Sequence, residues 1–414
     1  MTISRRDFLK ASLSAGCFSL CPSIASLSYA EGYDNKPLLI VLFLRGGADG
    51  LSLVAPSADS DYIAARSSEL RVLDEGDSNG ILSNSLDSRA GFRFNPNATS
   101  LSELYRGKRL AVLHAVGILD ATRSHFVAQE IIEKGINEEG LLSRTDTGWL
   151  GRAISGSQGA ITGYSATAST DISLYGSNTV LAAPDMFSNF DVPGGQSTRG
   201  FLGDISKNSK SSTEVATLNT LNIIATINRD QVREASGRAS NKTDNGQFGY
   251  DGSGELGRGL SSIAKLSSMD AGLKVAVLDH GGWDTHEGQA YRFSNQVKQL
   301  SIGLAAFDQD MRSRNRKYNM IVMTEFGRRL QSNKSGGTDH GHGACWLVLG
   351  DSVRGGQMYG KWPGLKNEAL DHGVDLAVTT DYRMVLNESL LVSGLNPASS
   401  FPELRKSELL RLYA

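Results

Sequence analysis

Five short, nearly continuous apolar runs stand out along the chain. They are Leu38 to Leu44 (LLIVLFL), Leu110 to Val116 (LAVLHAV), Leu273 to Leu278 (LKVAVL), Met320 to Thr324 (MIVMT) and Cys345 to Leu349 (CWLVL). Each is bounded by glycine or by charged residues. Such runs predict strands buried on both faces, the habit of parallel sheets covered by helices. Between them the spacing of apolar residues predicts a helix over 125–135, closed by a glycine, and a longer amphipathic helix over 290–313. Alternating strands and helices place the chain in the α/β class. Residues 236–259 are rich in Gly, Ser and Asn and read as a long loop or linker. The stretch from about 150 to 260 shows no strong period and is expected to be an insertion or cap on a single domain spanning 31–414.

The N-terminus changes the picture of where this domain works. Ser4-Arg5-Arg6-Asp7-Phe8-Leu9-Lys10 is a paired-arginine segment, followed by an apolar stretch rich in Ala, Ser and Leu that ends at Ser28-Tyr29-Ala30. That order is the layout of a removable twin-arginine export signal over 1–30. The expected location is therefore the periplasm or another extracytoplasmic space, with the Tat translocase as a partner during export. The apolar stretch is broken by Ser and Gly, and no later segment approaches the roughly 20 apolar residues of a spanning helix, so no stable membrane span is expected. Cys17 and Cys21 lie in the signal, which leaves Cys345 and no internal disulfide after cleavage. The core, or a metal, must then stabilise the fold. A net charge of −2 and the lack of a basic stripe give no sign of nucleic-acid binding.

Candidate chemistry gathers at the ends of the apolar runs. His280 and His286 follow the Leu273 run, His340 and His342 precede the Cys345 run, and His125 follows the Leu110 run after a short loop. Asp49, Asp279, Asp284, Glu325 and Asp339 stand among them. In an open α/β sheet, ligands bind at the edge shared by the carboxyl ends of the strands, so these groups are expected to converge. Histidine with Asp or Glu is a ligand set for divalent ions. Asp49, within Gly-Gly-Ala-Asp-Gly, is equally suited to shape a turn. Asp284 and His286 point the same way only in extended backbone, as in a loop that presents ligands. Two histidines split by one glycine, His340 and His342, are hard to explain as core packing. His114 reads as a hydrogen-bonded core histidine and His372 as a surface residue. Ser124 opens the predicted helix, where it can be an N-cap and also a nucleophile held where backbone N–H groups favour an anion; the segment alone favours the cap. Arg123 beside it can pair with a phosphate or sulfate oxygen.

Together with the export signal, the segments LFLRGGADGLSLVAP (42–56), RSHFVAQE (123–130), GGWDTHEGQ (281–289), MTEFGRRL (323–330) and TDHGHGACWLVLG (338–350) resemble a bacterial family known as domain of unknown function 1501. That family looks like a distant branch of the alkaline phosphatase and sulfatase superfamily. The resemblance implies a three-layer α/β/α fold with a mostly parallel central sheet, hydrolysis of phosphate or sulfate esters, and one or two divalent metal ions (Zn, Mn or Mg). It matches metal-binding positions to Asp49, Asp284, His286, Glu325 and either His340 or His342, and the nucleophile best to Ser124; the full set Asp49, Asp284, His286, Glu325, His340 and His342 is expected to bind the metal. Phe326 stands where the superfamily has histidine, and no cysteine occupies a sulfatase maturation motif. The expected function is an exported, metal-dependent ester hydrolase acting on a small anionic ester or glycan, with Ser124 attacking and Arg123 steadying the anion. The alternative is a non-catalytic envelope protein of the same fold that binds an anionic ligand or glycan.

Overall fold

A computed structural model of the chain describes residues 36–72, 91–120, 122–187, 190–207, 211–236, 248–269, 271–401, 404 and 409–414. The expected signal over 1–30, with Cys17 and Cys21, lies outside the described residues.

The strands are β1 (Leu38–Leu44), β2 (Val54–Pro56), β3 (Phe92–Phe94), β4 (Leu110–Gly117), β5 (Gly163–Ser165), β6 (Val180–Ala182), β7 (Val275–His280), β8 (Tyr318–Met323), β9 (Ala344–Gly350), β10 (Met358–Tyr359) and β11 (Thr380–Asp381). The central sheet runs β10-β4-β9-β8-β1-β7-β5-β6, with β11 added beside β4. The pairs β1–β7, β1–β8, β5–β7, β5–β6, β10–β4 and β11–β4 are parallel. β9 runs antiparallel to both of its neighbours, β4 and β8. β2 and β3 form a separate antiparallel pair. The expectation of an α/β chain with a mostly parallel sheet holds.

The apolar runs form the centre of the sheet because both of its faces are covered. Alternate residues of β1 enter different cores. Leu38, Ile40, Leu42 and Leu44 pack with the helices Thr99–Arg106, Gly254–Ser267 and Gln289–Ser313. Leu39, Val41 and Phe43 pack on the other face with the helices His125–Lys134, Trp149–Ile154 and Tyr382–Val392. A strand buried this way has no polar face, so its period-2 signal vanishes and only an apolar run remains.

Two expectations change. The predicted linker over 236–259 ends in the helix Gly254–Ser267, whose Leu256, Leu260, Ile263 and Leu266 are buried in the core. Its glycines serve close packing, since a Cβ on Gly259 would fall 2.5 Å from the Leu278 side chain. Part of the stretch expected as an insertion or cap also belongs to the sheet. β5 and β6 continue it beyond β7, while the helices Gly195–Ser206 and Ser212–Ser236 pack on each other.

His114 in β4 is a core residue, fully buried, with its Nε2 donating to the Val54 carbonyl at 2.8 Å. Its ring lies 5.3 Å from both Phe92 and Trp362. Burial pulls its pKa from 6.5 down to about 4. Over that window the unfolded chain binds more protons, so stability is complete above pH 6.5 and drains away as the pH falls towards 4. The loss attributable to this residue is about 3 kcal/mol. Urea unfolding at the two ends of the window should show that loss in the wild-type protein and a smaller one in His114→Phe. Equal losses would remove His114 from acid sensitivity.

Candidate metal centre

The carboxyl ends of β1, β4, β7 and β8 share one edge of the sheet. Because β9 runs the other way, it is the residues preceding it that reach the same edge. The loops after β1, β4, β7 and β8 and the loop before β9 therefore meet.

Glycine and arginine let these loops close on one another. Gly46 and Gly47 take φ of +118° and +62°. A Cβ at Gly46 would lie 2.5 Å from the Asp284 nitrogen, and one at Gly47 2.5 Å from the Phe326 ring. Arg328 is 1 % exposed. Its guanidinium donates to the carbonyls of Gly47 at 2.6 Å, Thr338 at 2.8 Å and Gly46 at 2.5 Å, and to Asp284 Oδ1 at 2.6 Å. One side chain thus binds the loops from β1, β7 and β8 to the approach to β9.

Three histidines are oriented alike on this frame. His125 Nδ1 lies 2.7 Å from Glu325 Oε1, His340 Nδ1 2.9 Å from the Arg123 carbonyl, and His286 Nδ1 3.3 Å from Asp339 Oδ1. An oxygen acceptor at each Nδ1 assigns the proton there, which leaves each Nε2 as an acceptor. The Nε2 atoms of His286 and His340 stand 2.8 Å apart. Asp284 Oδ1 lies 3.0 Å from the first and 3.3 Å from the second, and Asp284 Oδ2 lies 3.5 Å from His125 Nε2. His125 Nε2 is buried without a hydrogen-bond partner. Ligand atoms of His125, Asp284 and His340 all fall within 4.8 Å of one another, so this triad can hold a metal ion. Lone pairs and a carboxylate facing one point repel unless a cation balances them. Histidines whose second nitrogen is fixed by a carboxylate or carbonyl are the usual form of a metal site.

The electrostatics agree. Asp284 has its pKa lowered to about 2: burial works against its charge, and Arg328 and the histidines outweigh it. Glu325 is 1 % exposed. Burial opposes its ionisation too, but hydrogen bonds from His125, Gln129 and the loop backbone hold its pKa below the usual range. The bond to Glu325 raises the pKa of His125, and burial lowers that of His340. The rings of His125 and His340 both pack on Phe326, at 4.8 and 4.9 Å.

The residues expected from sequence divide accordingly. Asp284, His286 and His340 come together. Glu325 reaches the cluster only through His125, whose orientation it sets. His125 is the member that sequence reasoning left out of the ligand set. Asp49 stands apart: fully buried, it accepts from Arg66 Nη1 at 2.5 Å and Nη2 at 2.9 Å, from Ser52 at 2.7 Å and from Gln289 at 2.5 Å. Burial raises its pKa, but the Arg66 guanidinium outweighs this and holds it low. Its counter-charge in this structure is the Arg66 guanidinium. His342 is also elsewhere, with Nδ1 at 2.9 Å from Asp371 and Nε2 at 2.8 Å from the Ile118 carbonyl, so both nitrogens are engaged. Ser124 is exposed at the N-cap of the helix His125–Lys134, and its side chain makes no capping bond. The Arg123 guanidinium is held by the buried Asp375.

These assignments separate in two variants. Asp49→Ala strands a buried guanidinium and should cost about 3–5 kcal/mol of folding stability, with metal content unchanged. Glu325→Gln should weaken metal affinity by about 10–100-fold, the usual effect of losing an outer partner. Elemental analysis beside thermal melts reads both. Metal lost from a stable Asp49→Ala protein would return Asp49 to the ligand set.

No curated protein matches the chain. Residues 143–396, which include Asp284, His286, Glu325 and His340, match the family model described as protein of unknown function (DUF1501), and the chain belongs to that family.

Proposed function

We propose that the chain is an exported, metal-dependent hydrolase of phosphate or sulfate esters. The observation that carries this reading is the common orientation of His125, His286 and His340, each with Nδ1 on an oxygen and Nε2 turned towards Asp284. These four residues would hold one divalent ion. Three imidazoles with a single carboxylate favour Zn or Mn over Mg, which prefers oxygen ligands. A bound ion supplies Lewis acidity towards an ester oxygen.

The remaining roles belong to the chain itself. Ser124 immediately precedes His125 and opens a helix with its hydroxyl free of capping. The first-turn N–H groups of that helix favour an anion. In the proposed reaction Ser124 Oγ bonds to phosphorus or sulfur as the ester bond breaks in line, and the hydroxyl proton of Ser124 passes to the leaving oxygen. Water then displaces the group from Ser124 and restores the hydroxyl. Helices on both faces of a mostly parallel sheet, with the polar cluster at one edge, support an alkaline phosphatase-like three-layer arrangement. The paired arginines and small-residue site of the N-terminus support Tat export to the periplasm.

Wild-type protein incubated with Zn or Mn should retain a divalent ion that the double variant Asp284→Ala/His340→Ala has lost. Ser124→Ala should keep the ion and lose turnover of aryl phosphate or aryl sulfate. A wild-type protein that binds no metal would sink the hydrolase reading. A metal-loaded protein without turnover would leave the non-catalytic anion binder.

A further inference from the structure

We infer that Arg123, Arg329 and Asp375 form an anion seat beside the metal cluster, and that its single surplus positive charge selects singly charged oxyanion esters over doubly charged ones. This rests on the hydrolase reading and narrows its substrate class to sulfate monoesters and phosphate diesters.

Asp375 is fully buried and lies between the two arginines. Arg123 donates to its Oδ2, and Arg329 Nε stands 3.9 Å from its Oδ1. Oδ1 and both Nε atoms are buried without hydrogen-bond partners. Two guanidiniums therefore share one carboxylate. A buried carboxylate fixes an arginine in place and neutralises one charge, so the pair keeps one. The arginine side chains are 37 % and 42 % exposed, enough for both to meet a ligand.

The backbone puts this pair on the wall of the cluster. The carbonyl of Arg123 accepts from His340 Nδ1. Arg329 donates its N–H to the carbonyl of Asp339, and Asp339 holds His286. Arg329 forms a backbone bridge to Asp375, as Arg328 does to His340. Arg328 itself is spent on Asp284 and on carbonyls, so it offers a ligand nothing.

Charge balance then sets the preference. A divalent ion with Arg123, Arg328 and Arg329 brings five positive charges. Asp284, Glu325, Asp339 and Asp375 bring four negative ones. One negative charge on the ligand completes the balance. A second would face Asp284 and Asp339, whose side chains are 46 % and 48 % exposed, without a cation of its own.

Calorimetric titration of the Zn-loaded protein with methyl sulfate and with methyl phosphate, under mildly alkaline conditions where the latter is a dianion, tests the seat. Methyl sulfate should bind the tighter of the two. Arg329→Gln should weaken it by about tenfold, the weight of one charge-assisted contact, with metal content and melting temperature unchanged. Asp375→Asn removes a negative charge, leaving the seat one charge more positive, and should move the preference towards methyl phosphate. Where Asp375→Asn does not fold, Arg329→Gln decides alone. Tighter binding of methyl phosphate by the wild-type protein, or unchanged binding in Arg329→Gln, overturns the inference. Metal content measured on the same samples keeps the two readings apart. Protein that takes up no metal fails the hydrolase reading, while its methyl sulfate affinity still reports on the arginine pair.

Discussion

The arrangement at the sheet edge depends on the guanidinium of Arg328. A charged group with five donors is costly to bury, and it is stable there only if every direction is met by an acceptor. The loops supply those acceptors: carbonyls from Gly46, Gly47 and Thr338, and the Asp284 carboxylate. Loops from four places in the sequence are thereby held in one geometry, with no disulfide needed. The same contact orients Asp284. One of its oxygens is tied back to the protein scaffold and the other turns towards His125.

Asp49 and Asp284 show how two aspartates on one sheet edge acquire different work. Each has an arginine partner. Asp49 is fully buried and surrounded by Arg66, Ser52 and Gln289, so its negative charge is balanced inside the protein. Asp284 is about half exposed and shares Arg328 with four carbonyls, so its charge remains available to a neighbour. A Gly-Gly-x-Asp segment after a buried strand looks the same on paper in either case. What separates them is Arg66, seventeen residues further along, and nothing local to Asp49 announces it.

Much of the fold was legible because a strand buried on both faces must be apolar along its length, and the five runs mark β1, β4, β7, β8 and β9. An apolar run carries no direction, however. Only the pairing shows β9 to be reversed, which is why His340 can precede its strand and still reach the edge that the other groups reach by following theirs. The helix Gly254–Ser267 was hidden because glycines that permit close packing read like those of a linker. The exchange of roles between Glu325 and His125 had a similar cause. A carboxylate at a strand end and a histidine at a helix start carry ligand chemistry alike, and only the 2.7 Å contact between them shows which one turns its free atom to the cluster. His340 and His342 are two residues apart, yet the loop bends between them and delivers the second to Ile118 and Asp371.

A further layer lies behind Glu325 and completes the physical picture. Gln129 donates to Glu325 at 2.8 Å and accepts from Arg45 at 3.3 Å. Arg45 also binds Glu133 at 2.5 Å, Asp171 at 3.0 Å and Asp279 at 2.9 Å. Those carboxylates outnumber the arginine. Burial and the neighbouring Asp171 push the pKa of Glu133 up to about 8 against the pull of Arg45. Negative charge that burial suppresses at Glu133 is retained at Glu325, where donors converge from His125, Gln129 and the Gly46 backbone. The polar groups are thus graded from the interior outwards, from carboxylates balanced within the protein, through one that orients a histidine, to Asp284 at the surface. At the end of that gradient Asp284 stands with His125 and His340, in a triad whose ligand atoms lie close enough together to hold a metal ion.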